Sequence, residues 1–264
     1  MNPTTRTAHI NSIAQGSGQA VILVHGLAGS SAGWGTLMPA LIGAGYRVYA
    51  IDLLGHGDSE KPSRPEHYHL HEIYQALERW INAQPFSHPV SLIGHSLGGH
   101  LSLEYTLRQP EAVRALALID PFYSPTQLLP GLNWLSRFSH LGVKALRDYY
   151  PRMVPALSYA NDSLNGSLPP ETRRQMIIDL HRAAPEILHL LPSVSDLTPR
   201  LGQVQVKTLV IYGSRDLTLR PSSFSKLAGL IPGADLIKVP GVGHQPHLSR
   251  PEAVNRYIIN FFKR

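Results

Sequence analysis

A serine flanked by glycines, Gly94-His95-Ser96-Leu97-Gly98, stands directly behind the apolar run Val90-Ser91-Leu92-Ile93. A serine hydroxyl acts as a nucleophile when a turn exposes its Oγ and a neighbouring base takes its proton. The pattern reads as a strand, a very sharp turn with Ser96 at its apex, and a helix, which is the layout of a nucleophile elbow. Gly94 and Gly98 each lie two positions from Ser96, where a Cβ would collide with the neighbouring chain. Such a turn holds the serine backbone in a sparsely populated region, at a cost of about 1–3 kcal/mol. A chain of this length carries Gly-x-Ser-x-Gly by chance about one time in ten. The context therefore carries the reading: an apolar strand before it, a further glycine (Gly99) after it, and partner residues downstream in the right order.

Acyl transfer through serine needs a base, an acid to orient that base, and donors for the oxyanion. The base expected here is His244, in Gly243-His244-Gln245, after the last apolar run and before the last helix-like stretch. Loops at the carboxyl ends of strands are where α/β folds place their sites. The chain has 14 histidines. His25 and His95 sit beside glycines and are read as local structural residues. His67, His69 and His71 alternate, and residues two apart do not share a helix face, so they are not read as a metal site. The acid expected is Asp216, in Tyr212-Gly213-Ser214-Arg215-Asp216, with Asp120, at the end of another apolar run, as its rival. The acid holds the imidazole tautomer and stabilises the imidazolium. The oxyanion donors expected are two backbone N–H groups: Leu97, next to the nucleophile, and Leu27, in the Gly-rich loop His25-Gly26-Leu27-Ala28-Gly29-Ser30.

These residues need a scaffold. With 264 residues, 43% hydrophobic and 16% charged, the chain has enough apolar material for one large domain or a domain with an insertion. It has no cysteine, which excludes disulfides, thiolate metal sites and cysteine nucleophiles. The net charge of +6 is scattered rather than striped, so it reads as solvated surface and not as a nucleic-acid footprint. The N-terminal residues lack the apolar stretch of a signal peptide, and no apolar run approaches ~18 residues. A cytoplasmic protein without a membrane span is expected, and the sequence leaves its oligomeric state open.

Short apolar runs at 20–24, 47–51, 90–93, 115–119, 207–212 and 234–239 read as buried strands. Helix-like stretches at 37–44, 71–83, 97–108, 223–230 and 252–262 alternate with them. That alternation predicts a parallel sheet covered on both faces, with right-handed crossovers. The interval 121–199 breaks the rhythm. It holds 10 of the 22 prolines and no convincing strand, with helix-like stretches at 132–150 and 170–191. It reads as a helical cap, with 1–120 and 200–264 forming the core. One antiparallel edge strand is expected at 6–13.

The motifs His25-Gly26, Asp52-Leu53-Leu54-Gly55-His56-Gly57-Asp58-Ser59, Gly94-His95-Ser96-Leu97-Gly98-Gly99, Tyr212-Gly213-Ser214-Arg215-Asp216 and Gly243-His244 together resemble the α/β-hydrolase superfamily, in its capped serine-esterase form. The resemblance runs from about residue 18 to the C-terminus, outside the cap. It implies an α/β-hydrolase fold: a mostly parallel eight-stranded sheet, a cap inserted after the sixth strand, a Ser-Asp-His triad and no cofactor. Hydrolysis of a small-molecule carboxylic ester through an acyl-enzyme is the activity expected. Ser96 stands where haloalkane dehalogenases and epoxide hydrolases carry an aspartate, which argues against both. Carbon–carbon hydrolases of aromatic degradation also resemble the chain, but they often have asparagine before the serine and tryptophan after the histidine, where this chain has His95 and Gln245. Perhydrolase, lactonase, thioesterase or amidase chemistry, or a ligand sensor on the same scaffold, are the other readings. Leu128, Leu129, Leu132, Trp134, Phe138, Tyr149 and Tyr150 are the residues expected to line an apolar acyl pocket, or simply to pack under the cap.

Overall fold

The computed structural model describes residues 8–85, 89–127 and 168–264. Its strands are β1 (Ser12–Gly16), β2 (Gln19–Val24), β3 (Tyr46–Ile51), β4 (Val90–His95), β5 (Val113–Ile119), β6 (Lys207–Gly213) and β7 (Asp235–Val239). They form one sheet in the order β1-β3-β2-β4-β5-β6-β7, with β1 antiparallel to β3 and every other pair parallel. The helices are α1 (Leu37–Gly43), α2 (Leu70–Ala83), α3 (Leu97–Arg108), α4 (Pro170–Arg182), α5 (Pro221–Leu230), α6 (Pro246–Ser249) and α7 (Pro251–Lys263). None of the described helices is long and apolar enough to cross a membrane.

The central strands are continuous apolar runs because both faces are covered. Side chains alternate across the pleat. Ile22, Val24, Leu116, Leu118 and Val210 enter one core with the apolar faces of α2, α3 and α5. Val21, Leu23, Ala115, Ala117, Ile119, Leu209 and Ile211 enter a second core with α1 and α7. In α2, Leu70, Ile73, Tyr74, Leu77 and Ile81 are buried at helical spacing, which pins that helix flat on the sheet. Strand order reverses at β2, with β3 on one side and β4 on the other. In open α/β sheets the crevice beyond the carboxyl ends at such a point is where ligands bind.

Two expectations shift. The antiparallel edge strand forms at Ser12–Gly16 rather than 6–13. Its end is set by Gly16 and Gly18, both at positive φ (+83° and +97°), which carry the chain across the start of β3. A Cβ at either glycine would sit 2.4 Å from the Tyr46 carbonyl oxygen or 2.3 Å from that of Gly45. The sheet therefore has seven strands among the described residues, with one strand ahead of β2, and the interval expected to follow a sixth strand follows β5. The described end of that interval is helical, and it is split where Ala183-Ala184-Pro185 ends α4 and begins a 3-10 stretch over Pro185–Ser193. Proline cannot continue α4 through this point because it lacks the N–H and its ring clashes with the preceding turn.

Candidate active site

Ser96 sits between the last residue of β4 and the first of α3, with φ 50° and ψ −114°. Its N–H donates to the Ile119 carbonyl at 3.0 Å, and its own carbonyl accepts the Phe122 N–H at 3.0 Å, so β5 and the chain beyond it brace the turn. The glycines are needed for close approach. A Cβ on Gly94 would lie 2.4 Å from the Gly98 carbonyl oxygen, and one on Gly98 would lie 2.0 Å from that of Val24. The first turn of α3 is thereby pressed against the end of β2.

His244 follows β7. Gly213 makes its position attainable, because a Cβ there would lie 1.9 Å from the Gly243 carbonyl oxygen. The His244 loop crosses directly over the end of β6, and the Arg215 N–H fastens it by donating to the Val242 carbonyl at 2.8 Å. Asp216, in the turn after β6, is thus brought beside the imidazole. His244 Nδ1 lies 2.7 Å from Asp216 Oδ2, and His244 Nε2 lies 2.9 Å from Ser96 Oγ. The Thr218 and Leu219 N–H groups both donate to Asp216 Oδ1, at 2.7 and 2.9 Å. A carboxylate only accepts, so Nδ1 carries the imidazole proton and the Nε2 lone pair faces the serine hydroxyl. Asp216 is 2% exposed, which keeps water from competing for the contact.

The two expected oxyanion donors lie on segments next to Ser96. Leu97 is the first residue of α3, so its N–H is among those a helix leaves without an internal partner. Leu27 occupies the second position of a tight turn that the Gly29 N–H closes on the Gly26 carbonyl at 3.0 Å, with Ala28 at φ 59°. His25 holds that turn in place. The Leu53 N–H donates to His25 Nε2 at 2.9 Å, so Nδ1 carries the proton and donates to the Gly26 carbonyl at 2.7 Å. The turn lies against the nucleophile, since a Cβ on Gly26 would be 2.8 Å from His95 Nδ1 and 3.1 Å from Ser96 Cβ.

The sequence marks both His25 and His95 as local residues. His25 is one, but His95 also reaches across 149 positions in the chain, and its Nε2 donates to the His244 carbonyl at 2.9 Å. Its ring packs against those of His244 and His247, at 5.0 and 4.7 Å between centroids. Burial, reinforced by His247 and His244, holds His95 well below the ordinary histidine range, so it stays neutral. Burial likewise pushes His247 down to about 3. Asp52 organises the loop after β3, accepting from the Ser31 and Asp58 N–H groups at 2.6 and 2.9 Å and from Asn11 at 2.8 Å. His67, His69 and His71 remain exposed. The rival acid, Asp120, is fully buried at the end of β5, and Asp120, Asp216 and His244 each bring one ligand-type atom within 4.8 Å of the others. Within it, His244 Nδ1 and Asp216 Oδ2 are hydrogen-bonded to each other at 2.7 Å.

A family model described as the alpha/beta hydrolase family matches residues 21–257. The chain belongs to the alpha/beta hydrolase family. Among proteins similar to this hydrolase, a 2-hydroxy-6-oxononadienedioate/2-hydroxy-6-oxononatrienedioate hydrolase of Escherichia coli is 26% identical, over 98% of this chain and 92% of its own length. Lipase 1 of Psychrobacter immobilis is 27% identical, over 87% and 72%. Among solved structures, a thermophilic esterase from Thermogutta terrifontis superposes with a TM-score of 0.84 at 20% identity, covering 99% of this chain and 96% of that one. This last likeness establishes the fold. The seven residues expected to line an acyl pocket, Leu128, Leu129, Leu132, Trp134, Phe138, Tyr149 and Tyr150, lie outside the described residues.

Proposed function

We propose that this alpha/beta hydrolase cleaves carboxylic esters through an acyl-enzyme formed on Ser96. One observation carries the reading: His244 Nε2 stands 2.9 Å from Ser96 Oγ while Asp216 holds the other ring nitrogen at 2.7 Å. In the first step Ser96 Oγ bonds to the ester carbonyl carbon and its proton passes to His244 Nε2. Asp216 stabilises the imidazolium without taking the proton itself. The negative charge that develops on the carbonyl oxygen falls between the Leu27 and Leu97 N–H groups. Removing one such donor typically costs ~10²–10³ in rate. His244 then gives its proton to the leaving alcohol, and a water molecule, deprotonated by the same nitrogen, releases the acid.

We also read 121–199 as a cap over this site. Its described part is tied to loops at the carboxyl edge of the sheet. Ser30 Oγ donates to the buried Asp179 of α4 at 2.8 Å, Arg182 pairs with Asp58, and the Ala184 N–H donates to the Gly55 carbonyl at 2.8 Å. A cap so placed selects substrates by the room it leaves above Ser96.

The likeness to the Escherichia coli hydrolase supports a second reading, in which the same relay cleaves a carbon–carbon bond in a 2-hydroxy-6-oxo dienoate. Chromogenic esters of increasing acyl length, assayed beside such a dienoate with Ser96→Ala as control, separate the two. Turnover of short to medium esters, lost in Ser96→Ala, is expected. Turnover of the dienoate alone selects the second reading, and turnover of neither removes both.

A further inference from the structure

Asp120 is unlike the other acidic groups around the site. It follows the last residue of β5 with φ 39°, in the left-handed region, and its N–H donates to the Ile211 carbonyl at 2.8 Å. Its Oδ1 accepts the Gly213 N–H at 2.9 Å. Its Oδ2 is buried with no hydrogen-bond donor among the described residues. Asp216, within 4.8 Å, has three donors: two backbone N–H groups on Oδ1 and the imidazole on Oδ2.

Two buried carboxylates this close resist ionising together, because each negative charge raises the cost of the other in a medium that screens poorly. The proton settles on the carboxyl with fewer donors, since every donated hydrogen bond favours the ionised form. That carboxyl is Asp120, and the atom without a donor is its Oδ2. We propose that Asp120 is a protonated carboxylic acid whose O–H donates to Asp216, making it a positioning residue that fixes which carboxylate serves His244 and weakens that carboxylate's pull on the imidazole. The inference rests on the reading of Ser96, His244 and Asp216 given above. Burial, and then the neighbouring Asp216 charge, push Asp120 well above the ordinary carboxylate range, in agreement with the geometry. Among the described residues, the titratable rings packed at this cluster are those of His244, of His95 from β4 and of His247 from α6. Burial keeps the last two neutral, so neither supplies a cation that would ionise Asp120.

Asp120→Asn tests the assignment because asparagine is neutral and keeps both contacts: its oxygen accepts the Gly213 N–H and its NH₂ donates to Asp216. The acidic limb of its ester pH profile is expected within about 0.3 pH unit of that of the native enzyme. An ionised Asp120 would give a different result, since losing its negative charge would remove an attraction for the imidazolium and move that limb down by about one unit or more. A large downward shift, or loss of turnover in Asp120→Asn, overturns the proposal. Asp120→Ala removes the donor and leaves the full Asp216 charge to the imidazole. Its acidic limb is expected to rise by about 0.5–1 pH unit, and an unmoved limb in a folded Asp120→Ala overturns the proposal as well. Infrared spectroscopy reads the proton without any substrate. The native protein should show a protonated-carboxyl C=O stretch persisting well above the ordinary carboxylate range, and Asp120→Asn should lack it. Absence of that band in the native protein sinks this inference alone, whereas absence of any ester turnover sinks the assignment of the relay.

Discussion

Replacing Asp216 with asparagine leaves shape and volume nearly unchanged and reverses one hydrogen bond. The Thr218 and Leu219 N–H groups point at Oδ1 from 2.7 and 2.9 Å. An asparagine placing its NH₂ there would set one donor against two others, so its single oxygen must take that position. The NH₂ then faces His244 Nδ1, where the carboxylate now accepts at 2.7 Å. To meet a donor, Nδ1 must become the lone-pair nitrogen, and the ring proton moves to Nε2. Nε2 is the atom 2.9 Å from Ser96 Oγ, and once protonated it cannot accept the serine proton. The same tautomer reversal in another serine relay lowers turnover by about 10⁴. Four decades correspond to about 5.4 kcal/mol of lost transition-state stabilisation. The assay is ester kcat/KM for Asp216→Asn beside the native enzyme, with thermal melting to check that the fold persists. Activity within tenfold of native would refute the reasoning. An active Asp216→Asn together with a dead Asp120→Asn would exchange the roles of the two carboxyls.

Other outcomes follow from the same geometry. Gly98→Ala forces a Cβ to 2.0 Å from the Val24 carbonyl oxygen, a backbone atom that no rotamer change relieves. A loss of about 3 kcal/mol or more is expected in denaturant titration, and a variant as stable as native would contradict the close packing of α3 on β2. Gly229→Ala, on α5 with open space around it, is the control and should gain about 0.5–1 kcal/mol. Acid sensitivity should begin early. Burial holds His25, His56, His95, His100 and His247 below their ordinary value of 6.5, with His56 and His247 at about 3 and His100 at about 4. Below pH 6.5 the unfolded chain takes up protons at these five sites that the folded chain refuses, so stability is present above that value and drains as pH falls toward the folded values. Asp120 has the opposite sign, because its raised folded pKa favours the native state at low pH, but it is one proton against five. The melting temperature should therefore drop between about pH 7.5 and pH 5.5, where ordinary carboxylates are still ionised. An unchanged value would show that these histidines are not held neutral.

Much of the candidate site could be read from local patterns, because Ser96, Asp216 and His244 each lie in the turn or loop that follows an apolar strand, and strand ends converge in a parallel sheet. Their glycines were equally readable, since a turn this tight admits no Cβ. What could not be read depended on partners far along the chain. The reach of His95 to the His244 carbonyl, and the nearness of Asp120 to Asp216, exist only once β4, β5, β6 and the loop after β7 are set side by side. The edge strand was misplaced by several residues because its limit comes from Gly16 and Gly18 crossing β3, a constraint of topology and not of periodicity. The split between α4 and the 3-10 stretch, by contrast, was foreshadowed by Pro185. A steric signal for the Asp216–His244 pairing lay in Gly213, whose lack of a side chain lets Gly243 cross it, but it had meaning only beside a known β6–β7 register.

The central claim is that the Ser96 hydroxyl is activated by the His244 relay. The most direct measurement is labelling with a phosphonate electrophile that traps nucleophilic serines, read by peptide mass spectrometry. The account predicts one phosphonate per chain, on the peptide containing Ser96. Labelling should vanish in Ser96→Ala and slow strongly in a His244→Ala variant that remains folded. Labelling at another serine, or at Ser96 with the same rate when the imidazole is gone, would contradict it.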